Sequence, residues 1–127
     1  MKSMKGFTLV ELVIVIVIVG ILSVVAVPVY KGYTKKAMAT EGKALLGAVN
    51  TSQKVYFAEW GNFAASAVST VLDVNASTNK YFTTYTIGNA TNAGYTVTTA
   101  GTGGANGIAL TLTGSSSGAS NILESGL

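Results

Sequence analysis

One carboxylate interrupts the apolar start of this sequence. The chain is almost wholly apolar from Phe7 to Val29, and Glu11 lies inside that run. A charge at the centre of a bilayer costs roughly 2.5–3.5 kcal/mol on insertion scales, and less near a helix end. Pairing would offset this cost, and the nearest candidate cation is an α-amine at Phe7, which exists only if the chain is cut after Gly6. The residue types therefore predict an ion pair at this end of the chain.

The sequence offers no combination of side chains that is typical of an enzyme or a metalloprotein. It has no His and no Cys, which excludes Ser-His-Asp triads, Cys-His nucleophiles and zinc sites of the usual type. Two acids, Glu59 and Asp73, lack the alternating oxygen-ligand spacing of known calcium loops. We therefore predict no catalytic residue, no metal site and no cofactor.

The apolar run is long enough to cross a membrane. As a helix, its 23 residues reach about 34 Å, and a bilayer core is about 30 Å thick. Pro28 cannot donate to the carbonyl of Val24, and Gly20 adds backbone freedom earlier in the run. The segment from Gly20 to Pro28 is therefore the softest part of this helix, and it can be interpreted as an ordinary membrane-helix kink.

The start of the chain resembles the cleavage and methylation motif of type IV pilins and the related pseudopilins. The resemblance is carried by the run Lys5-Gly6-Phe7-Thr8-Leu9-Val10-Glu11-Leu12, with Gly20 and Pro28 at the positions where that family loosens its helix. It is close over residues 1–30 and only architectural beyond about residue 60. It implies that Gly20–Pro28 unwinds when the subunit enters a filament, which is the second interpretation of that segment.

The resemblance also implies how the protein is processed and where it works. A prepilin peptidase/methyltransferase would cut between Gly6 and Phe7 and N-methylate Phe7. Glu11 would then pair with the Phe7 amine of a neighbouring copy and set direction and register. The precursor would sit in the bacterial inner membrane, with its C-terminal part outside the cytoplasm. A pilus assembly platform would polymerise it into a homo-oligomeric helical filament, at the cell surface or in the periplasm.

Two functions remain open within this family. The first is a pilus subunit, and the alternative is a pseudopilin of a type II secretion system. Pseudopilins usually carry a Pro-containing loop and an acidic calcium-binding end, whereas this chain has a single Pro, Pro28, and a Gly/Ser/Thr-rich end, which favours the pilus. After loss of the leader, six Lys face five acids, 6 − 5 = +1. This balance argues against nucleic acid as a partner of the subunit and leaves it open for the assembled filament.

The remaining sequence predicts an α+β fold, with a long N-terminal helix packed on a small antiparallel sheet, as in pilins. Met38, Leu45, Val49 and Tyr56 recur on one helical stripe, and Gly61-Asn62 marks the end of the helix. A short local helix is expected around Ala64–Leu72. The predicted organisation is a leader at 1–6, a membrane and filament-core helix at 7–30, its amphipathic continuation at 31–58, a loop at 59–80, and sheet and tail at 81–127.

The sheet is predicted because the residue types change from a helical repeat to an alternation of every second residue. Thr, Val, Ile and Tyr alternate over 81–87, 95–99 and 108–113, which predicts three strands with one buried face. The Gly- and Asn-containing segments between them suit hairpin loops, so the strands should form an antiparallel meander. The end of the chain is interpreted either as a flexible tail or as a short added strand at Ile122–Leu123.

Overall fold

The computed structural model describes residues 6–67 and 69–127, with the side chains of 69 and 70 excepted. The leader therefore lies outside the described residues, apart from Gly6. The chain divides into two compact units, Met1–Thr34 and Lys35–Leu127. The elements are α1 (Leu9–Trp60), α2 (Ser69–Leu72), β1 (Thr86–Gly88), β2 (Gly94–Ala100), β3 (Ala109–Ser115) and β4 (Ser120–Ser125), with one 3₁₀ turn at Gly103–Ala105.

Helix α1 begins in the apolar run and is long and apolar enough to cross a membrane, with a mean hydropathy of 3.2 over its most apolar 18 residues. From Leu9 to Tyr33 its large apolar side chains are between 43% and 78% exposed. The helix ends where Gly61 adopts a φ of 73° and donates its N–H to the carbonyl of Phe57 at 2.8 Å. This left-handed residue is a usual C-terminal stop for a helix, so the predicted end is confirmed.

The four strands form one sheet in the order β1-β2-β3-β4, and every neighbouring pair is antiparallel. The predicted meander is confirmed, and the end of the chain forms the added strand rather than a tail. The first predicted strand, 81–87, is wrong over residues 81–85, since β1 begins only at Thr86. Glu41 accounts for residues 80–82, because its carboxylate accepts the backbone N–H groups of Lys80, Tyr81 and Phe82 at 3.2, 2.6 and 2.9 Å. Those donors are therefore not used to pair strands.

The core of the second unit lies between α1 and the sheet. Leu45 and Val49 of the predicted stripe are buried, and Met38 and Tyr56 pack at its edge. The covered face of the helix is wider than that stripe, because it also includes Ala39, Gly42, Leu46 and Gln53. A Cβ at Gly42 would collide with Leu110 Cδ1 and lie 2.9 Å from Phe82 Cδ1, so glycine permits the close approach of helix and sheet here.

The loop after α1 closes one end of this core. Among the described residues, the helix predicted around Ala64–Leu72 is found only at Ser69–Leu72, and residues 63–67 carry no regular structure. Residue 68, which is part of that prediction, lies outside the described residues. Gln53 explains the difference, since its side-chain amide accepts the N–H of Ala64 and donates to the carbonyl of Ala64, both at 2.8 Å. A buried amide that satisfies both backbone groups of one residue holds that residue outside a helix.

Candidate assembly site

Glu11 lies in the first turn of α1 and forms a capping box with Thr8. The hydroxyl of Thr8 accepts the N–H of Glu11 at 3.2 Å, and the carboxylate of Glu11 accepts the N–H of Thr8 at 2.9 Å. The Thr8 hydroxyl also donates to the same carboxylate oxygen, Oε2, at 2.8 Å. These bonds satisfy donors that the start of a helix leaves free. They also fix the carboxylate at the helix end.

The second oxygen of this carboxylate is not used. Within the described residues, both bonds to Glu11 end on Oε2, and Oε1 accepts none. Gly6 and Phe7 precede the helix without regular structure, and Phe7 is 89% exposed. The structure therefore brings the predicted residues Gly6, Phe7 and Glu11 within one short segment, and it leaves a free acceptor and an accessible Gly6–Phe7 peptide bond.

Gly20 and Pro28 both lie inside α1, which runs unbroken through them. A Cβ added at Gly20 would meet nothing within 4 Å. The hydroxyl of Ser23 donates to the carbonyl of Val19 at 2.7 Å, a back-bond that bends helices slightly. The role of Gly20 and Pro28 in loosening the helix stays a prediction.

Sequence reasoning missed the partner of Glu11, although the signal was present. The spacing Thr8-x-x-Glu11 before an apolar run is the pattern of a capping box. Glu41 was missed too, and no local pattern marks it, because its partners lie about 40 residues further along the chain. Its backbone hydrogen bonds, above all that from Tyr81, hold the pKa of the Glu41 carboxyl below its usual value.

Strand β4 is attached to α1 by polar contacts that sequence reasoning also missed. Lys43 forms an ion pair with Glu124. Asn50 donates to the hydroxyl of Ser120 at 3.4 Å, and it also accepts from the hydroxyl of Tyr95 in β2. Positions 43 and 50 are two helical turns apart, so they meet the same face of the strand. The described residues contain no group of three or more acids that could hold a metal ion, and Glu59 and Asp73 are both exposed.

Two family models match the chain. The prokaryotic N-terminal methylation motif matches residues 1–27. A model described as type IV minor pilin ComP, DNA uptake sequence receptor, matches residues 28–109. The two matches divide the chain near the end of its apolar run, and the second covers more than half of the sequence.

Curated relatives point to the same family. A fimbrial protein of Pseudomonas aeruginosa is 39% identical over 67 residues, which is 53% of this chain and 44% of that protein. A fimbrial protein of Neisseria meningitidis serogroup B is 42% identical over 74 residues, 55% of this chain and 44% of that protein. The type IV major pilin protein PilE1 of Neisseria gonorrhoeae is 38% identical over 89 residues, 67% of this chain and 40% of that protein. The matched region spans less than half the length of these relatives.

The motif, the fold and these matches agree. The apolar helix with its capped Glu11, the helix-on-sheet unit and a family model that covers residues 28–109 are features of one kind of protein. The chain therefore belongs to the type IV pilins, in the family described as type IV minor pilin ComP, DNA uptake sequence receptor.

Proposed function

We propose that this chain is a structural subunit of a type IV pilus filament. In this proposal it is cut after Gly6, N-methylated on Phe7 and polymerised through its N-terminal helix. The observation that carries the proposal is the carboxylate of Glu11 at the start of an exposed apolar helix. Its Oε2 accepts two hydrogen bonds, and its Oε1 accepts none among the described residues. The names of the relatives, fimbrial protein and type IV major pilin, agree with a structural rather than a catalytic role.

The chemistry of assembly follows from the two oxygens of Glu11. Cleavage after Gly6 creates an α-amine at Phe7, and N-methylation keeps its positive charge. When apolar helices of neighbouring copies pack together, they remove Glu11 from water. A buried carboxylate is strongly destabilising unless it is paired and hydrogen-bonded. Thr8 already satisfies Oε2, and the Phe7 amine of a neighbouring copy satisfies Oε1, which fixes the stagger between the two helices.

Replacing Glu11 tests this role. Glu11→Val leaves the neighbour's amine without a partner, and removing one member of a buried pair typically costs about 3–5 kcal/mol. We expect filaments to be lost while the subunit still accumulates in the membrane, as measured by electron microscopy of sheared surface material and by immunoblot of membranes. Mass spectrometry of wild-type filaments should find a chain that begins at methylated Phe7.

Thr8→Ala is the matched control, because it breaks the capping box and leaves the Glu11 carboxylate in place. Loss of a cap typically costs about 1 kcal/mol, so this variant should still form filaments. Normal filament yield from Glu11→Val would contradict the pairing role. Equal loss from both variants would show that capping, rather than pairing, accounts for the effect.

The alternative predicted from the sequence is a pseudopilin of a type II secretion system. In the described structure the C-terminal end of the chain forms the β3–β4 hairpin, and its one acid, Glu124, is paired with Lys43. This end therefore lacks free carboxylates for calcium, which favours the pilus. If deletion of this protein abolishes protein export and leaves the surface fibres in place, the pseudopilin becomes the favoured function.

A second candidate is DNA reception, which the description of the matched family favours. DNA affinity comes largely from Lys and Arg contacts with phosphates. In the unit Lys35–Leu127, five Lys face four acids, 5 − 4 = +1, and there is no Arg in that span. We therefore rank DNA reception below the filament role. Binding of purified filaments to duplex DNA that is tighter than about 1 μM at physiological salt, the upper range of non-specific affinity, would raise it.

A further inference from the structure

The C-terminal end of α1 exposes an apolar surface flanked by acids. We call it the acidic-aromatic patch, and its members are Val55, Tyr56, Glu59, Trp60, Val71 and Asp73. Trp60 is 68% exposed and Val55 is 55% exposed. The rings of Tyr56 and Trp60 stack with their centroids 6.1 Å apart. A groove of about 280 Å³ separates the helix from residues 71–73.

The two acids of this patch have no partner within the described part of the chain. Neither Glu59 nor Asp73 forms an ion pair or a side-chain hydrogen bond there. Aromatic faces attract cations, and carboxylates attract them more strongly. An exposed apolar patch of this kind typically marks an interaction surface. A flexible side chain with an ammonium group, such as lysine, fits a groove that Tyr56 and Glu59 line from the helix and Asp73 lines from the opposite side.

The same chain offers a matching cation. Among the described lysines of the second unit, three are already engaged: Lys35 donates to the carbonyl of Gly126, Lys43 pairs with Glu124, and Lys80 lies over the ring of Tyr81. Lys36 and Lys54 are exposed and have no such contact in the described structure. Lys54 lies at the level of the patch itself. Lys36 lies near the other end of the same helical segment.

The positions of Lys36 and Glu59 suit a contact between parallel copies. Glu59 follows Lys36 by 23 residues, which is about 35 Å along an α-helix and about 140° around it. The sheet and the loop after α1 cover the face that includes Ala39, Leu46 and Gln53. Lys36 and Glu59 fall on opposite margins of the uncovered face. A neighbour displaced by that distance along the helix axis therefore brings its Lys36 beside the Glu59 of the first copy.

We propose that the acidic-aromatic patch binds Lys36 of a second copy of this chain, displaced by about 35 Å along the helix axis. The contact is heterologous, because each copy offers a different surface to each of its two neighbours. A heterologous contact that does not close into a ring extends into a filament. The proposal rests on the proposed filament role and adds a contact to the pairing of Glu11, which joins helices at a smaller stagger.

Crosslinking through introduced cysteines tests this contact directly. The chain has no native Cys, and positions 36 and 59 of one copy are too far apart to be joined. Filaments of Lys36→Cys/Glu59→Cys, treated with a short bis-maleimide, should therefore give a ladder of multimers on a denaturing gel. Lys80→Cys/Glu59→Cys is the control pair and should give only background. Absence of a ladder from the first pair, or equal ladders from both, would overturn the contact.

Charge reversal in the full chain gives a second measurement. Glu59→Lys should lower filament yield about tenfold, because it places like charges together at a desolvated contact. Adding Lys36→Glu should restore the yield, whereas adding Lys54→Glu, with the same charge content, should not. Yield unchanged by Glu59→Lys, or equal rescue by both, would overturn the proposal and leave the patch free for a different partner. Lack of filaments from the wild-type chain would instead overturn the filament role itself.

Discussion

Three glutamate carboxylates hold parts of this protein in place, and each has a different type of partner. Glu11 caps its own helix through Thr8, Glu41 binds backbone donors of a distant loop, and Glu124 pairs with Lys43. Glu41 replaces the strand pairing that residues 80–82 would otherwise need. Because a carboxylate accepts these bonds best when it is ionised, the attachment of the loop to α1 depends on pH.

Glu41 should therefore make the folded unit sensitive to acid. Its pKa in the folded state lies below the unfolded value, so its contribution to stability is present at neutral pH and is lost as the pH falls through the folded pKa. Glu41→Gln should weaken the fold at neutral pH and flatten the fall in stability that accompanies protonation of the Glu41 carboxyl in acid. Chemical unfolding followed by circular dichroism at several pH values measures both effects.

Glu59→Gln provides the comparison for this measurement, because Glu59 is exposed and accepts no hydrogen bond among the described residues. It should leave the free energy of unfolding at neutral pH unchanged, as is usual for a surface substitution. If Glu41→Gln and the wild-type chain lose stability in parallel on acidification, the acid sensitivity has another origin.

At the level of elements, β4 packs on the core through the face that points to α1. Ile122 opposes Leu112 of β3 on the side that faces α1, and Ile122 is half-buried. Its neighbour Leu123 points to the other face and is 61% exposed. Successive residues of a strand face opposite sides, so the same substitution at these two positions reports which face is covered.

Ile122→Asp should therefore destabilise the folded unit by about 1–3 kcal/mol, since it places a charge against the core without a partner. Leu123→Asp should change stability by no more than about 0.5 kcal/mol, as is usual for surface substitutions. Urea unfolding of both variants measures the difference. Equal effects would mean that the register of β4 differs from the one described.

At the scale of the whole molecule, the two units differ in what they bury. The unit Lys35–Leu127 contains the core residues from Ala39 to Leu112, whereas the apolar side chains of Met1–Thr34 that the structure describes are exposed. A unit with its own hydrophobic core can fold alone. The exposed apolar helix, in contrast, needs a membrane or other copies of itself.

A chain that begins at Lys35 should therefore be soluble, monomeric and cooperatively folded, whereas the full chain should require detergent. Size-exclusion chromatography and thermal unfolding check this expectation. A truncated chain that aggregates, or that unfolds without a cooperative transition, would show that the apolar helix also stabilises the folded unit.

The local pattern of the sequence was enough for the membrane-length helix, its end at Gly61, the period-two strands and the meander, because each depends on residues near one another in the chain. The motif around Gly6 and Phe7 was equally local, and so was the Thr8–Glu11 spacing that was overlooked. The late start of β1, the shortness of α2 and the attachment of β4 to α1 could not be predicted from residues near one another in the chain. They depend on Glu41, Gln53 and Lys43, whose partners lie between about 10 and 80 residues away. Only the tertiary structure brings those partners together, since a long-range contact leaves no periodic signal in either of the segments that form it.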